Sequence, residues 1–213
     1  MSTARLATLI HNAKNRLASV IARLENECLQ ASSGDIRELR VVAGQLSSVM
    51  ALVRAEDPSL GVRMLEVDLD MFFGDLRDEA NLLAPPGVKV NASADFSASL
   101  FPVWTFDSVL VRCVLLDALN NAWRHARQRV GLSAYCEDGW LVFEIQDDGP
   151  GFPEEWLCLN EGQGGCLPVS VPEGTGEGLL LAQKIARLHQ LNGQQGSVQL
   201  RNQEGTRFIL RLP

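Results

Sequence analysis

DALNNAWRHAR, residues 117 to 127, sets polar side chains one helical turn apart, with Asp117, Asn121 and Arg124 or His125 on a single face. The apolar residues ahead of it extend the pattern and predict a long helix from about Asp107 to Arg127. Beyond it, Val130 to Cys136 and Trp140 to Gln146 read as two strands joined by a Glu137-Asp138-Gly139 turn. On its other side come a short extended piece, Leu65 to Val67, a helical stretch, Leu69 to Leu83, a Pro85-Pro86-Gly87 break, and a strand candidate at Val88-Lys89-Val90. Further on, Leu179 to Leu191 reads as a helix, and Ser197 to Arg201 with Thr206 to Leu212 as a hairpin around Gln203-Glu204-Gly205. This alternation predicts an α+β unit, a sheet covered by helices, from residue 64 to 213. No internal repeat is present.

The first 58 residues have a different period. Leu6, Ile10, Ala13, Leu17, Val20 or Ile21, Leu24 and Cys28 are spaced by three and four, and after Ser32-Ser33-Gly34-Asp35 the pattern resumes from Ile36 to Val53. This predicts a helical hairpin ended by Asp57-Pro58, because proline cannot continue a helix. A lone hairpin cannot bury both stripes, so a second copy completing a four-helix bundle is the expected partner. The alternative is that the hairpin packs on the rest of its own chain.

A hydrophobic fraction of 46% in 213 residues is enough for one or two cores without covalent staples. The five cysteines, Cys28, Cys113, Cys136, Cys158 and Cys166, are odd in number and form no CxxC pair, which suggests reduced cytosolic thiols. A net charge of -7 without a basic block leaves no footprint for nucleic acid. No apolar run approaches the roughly 18 residues of a membrane span, and the N-terminus lacks the core of a secretory signal, so a cytoplasmic protein is expected.

Three further stretches carry chemistry. The Asp117 carboxylate and the Asn121 carbonyl are hard oxygen ligands suited to Mg²⁺ or its water shell, and Arg124 and His125 could meet phosphate oxygens. A polar stripe is also what the wet face of any helix shows. DDGPGFP, residues 147 to 153, follows a strand, and Gly149 and Gly151 there allow close approach of a flat ligand. Asp147 could accept a hydrogen bond from an exocyclic amine such as that of adenine. The segment from Phe152 to Glu173 is rich in Gly and Pro, shows no period, and is long enough to be a lid. It ends in GTGEGL, residues 174 to 179, just before a helical pattern, where backbone N–H groups and a helix N-terminus could face an anion. It is neither a P-loop nor a dinucleotide fingerprint.

In this order and on these elements, the motifs resemble the ATP-binding domain of the histidine kinase and GHKL ATPase superfamily. DALNNAWRHA is similar to its N box, with Asn121 at the Mg²⁺-binding asparagine, Arg124 and His125 at the phosphate-contacting pair, and Asp117 where many sensor kinases carry Asn. DDGPGF resembles the first glycine box, with Asp147 at the adenine-binding aspartate beside Gly149 and Gly151. GTGEGL resembles the second, with Gly174, Thr175, Gly176, Gly178 and Leu179 beneath the triphosphate, and Thr206 falls in the terminal Gly-Thr element near the adenine pocket. The resemblance implies a GHKL (Bergerat) α/β sandwich with a mixed sheet, a lid, ATP and Mg²⁺.

Sensor kinases place such a hairpin ahead of the ATPase domain, and HNAKNRL, residues 11 to 17, resembles their H box. The resemblance implies that His11 takes the γ-phosphoryl group of ATP and passes it to an aspartate on a response-regulator receiver domain. Two positions depart from or vary on the pattern. Asn12 stands where the family usually has Asp or Glu as general base, and an amide cannot take the histidine proton, so autophosphorylation is slow, uses another base, or is absent. Asn15 matches a position at which members orient water to dephosphorylate their partner. No sensor domain precedes the hairpin in this sequence, which implies a separate sensor protein or a fragment. A phosphotransfer or scaffold protein with a degenerate ATPase fold, and a GHKL ATPase or serine kinase acting on a partner, remain as alternatives.

Overall fold

The computed structural model describes residues 62–97, 102–157 and 177–213, together with Val42, Leu46 and Val53. The chain divides into two compact units, Met1–Val62 and Arg63–Pro213. In the first, Val42, Leu46 and Val53 are helical, with Val53 buried and Val42 exposed. The predicted helical hairpin, with His11, Asn12 and Asn15, otherwise lies outside the described residues.

The second unit runs β1 (Leu65–Asp68), α1 (Leu69–Leu83), β2 (Lys89–Asp95), β3 (Val103–Phe106), α2 (Ser108–His125), β4 (Arg129–Glu137), β5 (Trp140–Asp147), α3 (Glu154–Leu157), α4 (Glu177–Leu188), β6 (Gln190–Leu191), β7 (Gln194–Gln195), β8 (Ser197–Asn202) and β9 (Thr206–Leu212). Its main sheet has five strands in the order β2-β4-β5-β9-β8. β2 pairs with β4 in parallel and the remaining neighbours are antiparallel, so the sheet is mixed as expected.

Alternation along the strands decides which face is buried. Leu132 and Ala134 on β4, Leu141, Phe143 and Ile145 on β5, Phe208, Leu210 and Leu212 on β9, and Val198 and Leu200 on β8 share the inner face and are buried. Against them lie Leu69, Phe72, Leu76 and Ala80 of α1, Leu115, Leu119 and Ala122 of α2, and Ala182, Ile185 and Ala186 of α4. The centre is aromatic: Phe72 meets Phe106 edge-on at 5.2 Å between centroids and Phe143 at 5.8 Å. The result is a two-layer α/β sandwich. On the outer face, Val142 lies between its cross-strand neighbours Tyr135 and Arg211, and Arg211 stacks over Trp140 at 5.4 Å. Arg207 pairs with Glu144 at 3.2 Å in the same layer, so the outer face is finished by its own long side chains.

Caps set where the helices begin. Asp68 accepts the Met71 N–H at 2.9 Å to start α1, and Asp107 accepts the Leu110 N–H at 3.1 Å to start α2. The β4–β5 turn places Asp138 at φ 50° and Gly139 at φ 78°, the left-handed pair that a tight hairpin requires.

Three readings of the sequence are corrected, and one strand that no local pattern indicates is added. The Val88–Val90 strand is longer, Lys89–Asp95, because parallel pairing with β4 extends it. Val103–Phe106 is a strand paired non-locally with β1, and its Trp104 indole N–H donates to the Pro213 carbonyl, just beyond β9, at 2.8 Å. The expected Leu179–Leu191 helix ends at Leu188, and Gln190–Gln195 forms a small hairpin whose turn residues Asn192 and Gly193 have φ of 50° and 79°. Within the expected irregular lid, Glu154–Leu157 is a short helix, and residues 158–176 lie outside the described residues.

Candidate nucleotide site

The site candidates gather at one end of the sheet because β5 and α2 both finish there. Asp147, the last residue of β5, points to the inner face and is 4% exposed. Its Oδ1 accepts the Gly149 N–H at 2.7 Å, and its Oδ2 accepts the Thr206 hydroxyl from the neighbouring strand β9. Each carboxylate oxygen thereby holds one protein donor and keeps a second lone pair for a ligand. Glycine is required around it. A Cβ on Gly149 would stand 2.7 Å from the His125 carbonyl oxygen, and one on Gly205 would overlap the Asp147 backbone carbonyl. Gly205 also has φ of 123°, a conformation that other residues rarely adopt.

Helix α2 brings the other half. Asn121, Arg124 and His125 lie in its last turns and are exposed, the arrangement expected of groups that meet a ligand or solvent rather than a core. Asp117, one turn earlier, is half-buried, and burial pushes its carboxyl above the ordinary value, against a smaller downward pull from the Arg124 charge. A Cβ on Gly178, in the first turn of α4, would overlap the Asp117 carboxylate, so the end of the GTGEGL stretch is packed directly on this helix. Leu179 is half-buried beside it. The preceding residues of the stretch, Gly174, Thr175 and Gly176, lie outside the described residues.

The residues present fit Mg²⁺. Asp117 and Asn121 offer hard oxygens one turn apart. No cluster of three or more His, Cys, Asp or Glu among the described residues could hold a metal by itself. Magnesium bound by one or two protein oxygens plus substrate phosphates needs no such cluster.

Two positions that the sequence does not announce, Asp148 and Asn202, hold the backbone of the site, and a third, His189, ties the end of α4 to the start of α2, away from the site. Asp148 takes the backbone N–H groups of Arg127, Gln128 and Arg129 on one oxygen. Asn202, on the β8–β9 hairpin, accepts the Phe152 N–H at 2.7 Å and donates to its carbonyl at 2.8 Å, pinning the chain just after Gly151. His189 is fully buried, and its Nε2 accepts the Asp107 N–H at 3.0 Å while Nδ1 faces the Ile185 carbonyl at 2.8 Å. Only the neutral ring protonated at Nδ1 satisfies both contacts, and burial holds its pKa down. These partners are distant in sequence, and no local pattern announces them.

Residues 106–213 match the family described as histidine kinase-, DNA gyrase B-, and HSP90-like ATPase. The chain belongs to this family. Its second unit is accordingly a GHKL-type ATP-binding domain, homologous to those of sensor histidine kinases. The chain is 33% identical over 203 residues to the sensor histidine kinase GtrS of Pseudomonas aeruginosa, covering 93% of this chain and 38% of that protein. It is 31% identical over 102 residues to the signal transduction histidine-protein kinase AfsQ2 of Streptomyces coelicolor, covering 47% of this chain and 18% of that one. The chain thus spans well under half of each of these relatives. Among solved structures, full-length ShkA in complex with AMPPNP shares the fold with a TM-score of 0.61 at 21% identity, over all of this chain and 46% of that one. The catalytic domain of histidine kinase ThkA has a TM-score of 0.53 at 18% identity, over 70% of this chain and 95% of that one. Histidine kinase ThkA in complex with response regulator protein TrrA has a TM-score of 0.52 at 17% identity, over 99% of this chain and 60% of that one. Among the described residues, no helix is long and apolar enough to cross a membrane.

Proposed function

We propose that this chain is the core of a two-component histidine kinase, which phosphorylates His11 from Mg²⁺-ATP and passes the phosphoryl group to a response-regulator aspartate. The observation that carries the reading is the convergence, at one end of the sheet, of a buried carboxylate with free acceptor capacity and an exposed polar helix end. Asp147, with Thr206 beside it, serves the adenine amine, and Asn121, Arg124 and His125 serve the phosphates. Gly149 and Gly178 keep the backbone close enough for both halves to share one ligand. GtrS, a sensor histidine kinase aligned over 93% of this chain, supports extending the reading to the N-terminal unit.

In the reaction, an imidazole nitrogen of His11 attacks the γ-phosphorus, the N–P bond forms, and the bond to the β–γ bridging oxygen breaks with its electrons leaving on ADP. The ring must then lose a proton, and Asn12 cannot take it, so water or another base does and the step is slow. Arg124 and His125 offset charge on the phosphate oxygens and hold them in place. Mg²⁺, when bound by Asn121 and Asp117 together with phosphate oxygens, would neutralise charge on the nucleotide. Asn15 orients water for the reverse task, dephosphorylating the regulator. The N-terminal helices form a homodimer in the cytoplasm.

The experiment is incubation of the protein and its His11→Ala variant with γ-labelled ATP and Mg²⁺, followed by acid and base treatment of the product. Label that is lost in acid and absent from the variant supports the reading. Base-labile or acid-stable label that persists in His11→Ala contradicts it.

A further inference from the structure

We propose that Asp148 is a positioning residue for the nucleotide site, locking the helix end that carries Asn121, Arg124 and His125 to the strand end that carries Asp147. This rests on the nucleotide reading above and adds to it a residue that touches no ligand. Asp148 Oδ1 accepts the backbone N–H groups of Arg127 at 2.8 Å, Gln128 at 3.1 Å and Arg129 at 3.2 Å. These residues form the connection between α2 and β4, immediately beyond the Ala126 C-cap. The Asp148 N–H reaches back to the Arg129 carbonyl at 3.4 Å, so the bracket closes from both sides.

The adjacent turn rests on the same helix end. The position a Cβ would take on Gly149 is 2.7 Å from the His125 carbonyl oxygen and 2.6 Å from Asp147 Oδ1, which places the turn in contact with both halves of the site. The Gln128 amide foremost, then those of Arg129 and Arg127, holds the Asp148 carboxyl below its ordinary value. Hydrogen bonds to an ionised acceptor are the stronger kind. The Arg129 guanidinium contributes little by comparison, since its Nε is 3.7 Å from Oδ2 and its side chain is 73% exposed. Helix α2 is stiff, so fixing the chain just beyond its last turn fixes where Asn121, Arg124 and His125 stand relative to Asp147. A misplacement of about 1 Å in such a pair of anchoring groups costs up to about 100-fold.

The test uses the full chain with Asp148→Ala and Asp148→Asn, at a temperature where both are folded. Amide exchange at Arg127, Gln128 and Arg129 is followed by NMR without nucleotide, and Mg-ADP binding is measured by calorimetry. Asp148→Ala is expected to speed exchange at all three amides and raise the Mg-ADP Kd by about tenfold or more, within the range seen when orienting partners are lost. Asp148→Asn keeps an acceptor oxygen in place and is expected to restore most of both. Unchanged exchange in Asp148→Ala would overturn the bracket. Faster exchange with an unchanged Kd would reduce Asp148 to a structural cap and overturn the positioning role. Absence of Mg-ADP binding in the wild type overturns the nucleotide reading itself and this proposal with it, an outcome visible without either variant.

Discussion

Asp147→Asn separates the fold from the ligand at a single atom. In the protein, Oδ1 takes the Gly149 N–H at 2.7 Å and Oδ2 takes the Thr206 hydroxyl. An asparagine in the same rotamer keeps its oxygen toward Gly149 and turns its NH₂ toward Thr206, whose hydroxyl can rotate to accept. The internal loss is the charge on one acceptor, about 1 kcal/mol or less. The ligand fares worse. An adenine amine that met an ionised acceptor now meets an NH₂, which removes a bond worth about 1.5–3 kcal/mol and leaves two donors facing each other. The sum, about 2–4 kcal/mol, corresponds to about 30- to 1,000-fold in Kd. Calorimetric titration with Mg-ADP measures the affinity, and urea unfolding measures the fold. A Kd within threefold of wild type, with the urea midpoint intact, would refute the assignment of Asp147 to the adenine amine. A collapse of the urea midpoint would instead show that the carboxylate serves the fold.

Other substitutions probe the surrounding geometry. Gly149→Ala forces a Cβ to 2.7 Å from a backbone carbonyl that cannot move freely, and should lower unfolding stability by about 1–3 kcal/mol in urea titration. Gly178→Ala should leave stability within about 1 kcal/mol of wild type, because the helix gains from alanine and the Asp117 side chain can swing aside. The displaced carboxylate should weaken Mg-dependent ADP binding several-fold, measured by titration with and without the metal. His189 makes stability pH-dependent in one direction. Its folded pKa lies below the ordinary 6.5, so as pH falls below 6.5 the unfolded chain takes up a proton that the folded chain refuses, and stability declines. One such proton gives at most about 1.4 kcal/mol per pH unit, and His189→Ala should show a flatter profile between pH 7.5 and 5.5 in urea unfolding.

The elements that sequence periodicity located are those whose buried face repeats over several turns or several pleats. Helix α2 and the strands β4, β5 and β9 carry long apolar patterns bounded by caps and glycine turns, and each lies within a few residues of its expected span. Strand β3 has only four residues, and its identity comes from pairing with β1, nearly forty positions earlier, which no local pattern contains. The end of α4 was hidden for the opposite reason. Leu191 prolongs the apolar period, while the Asn192-Gly193 pair and the bond from the Asp107 amide to the His189 ring turn the chain away after Leu188.

The same division holds at the site. Asp147, Gly149 and Thr206 could be nominated because their residue types and order carry a recognisable pattern. Asp148 and Asn202 could not, since their work is to hold backbone segments 19–21 and 50 residues away, and an Asp in a turn or an Asn at a hairpin looks ordinary from its neighbours.

In the proposed site, one nucleotide bridges the end of β5 and the end of α2. Amide hydrogen exchange of the whole chain, with and without saturating Mg-ADP, tests it most directly. Bound nucleotide is expected to slow exchange at Asp147–Gly151, the turn before Thr206, and the last turns of α2 with the first turn of α4. Exchange unchanged at these segments, or slowed instead at the far end of the sheet around Ser93, Tyr135 and Glu137, would contradict it.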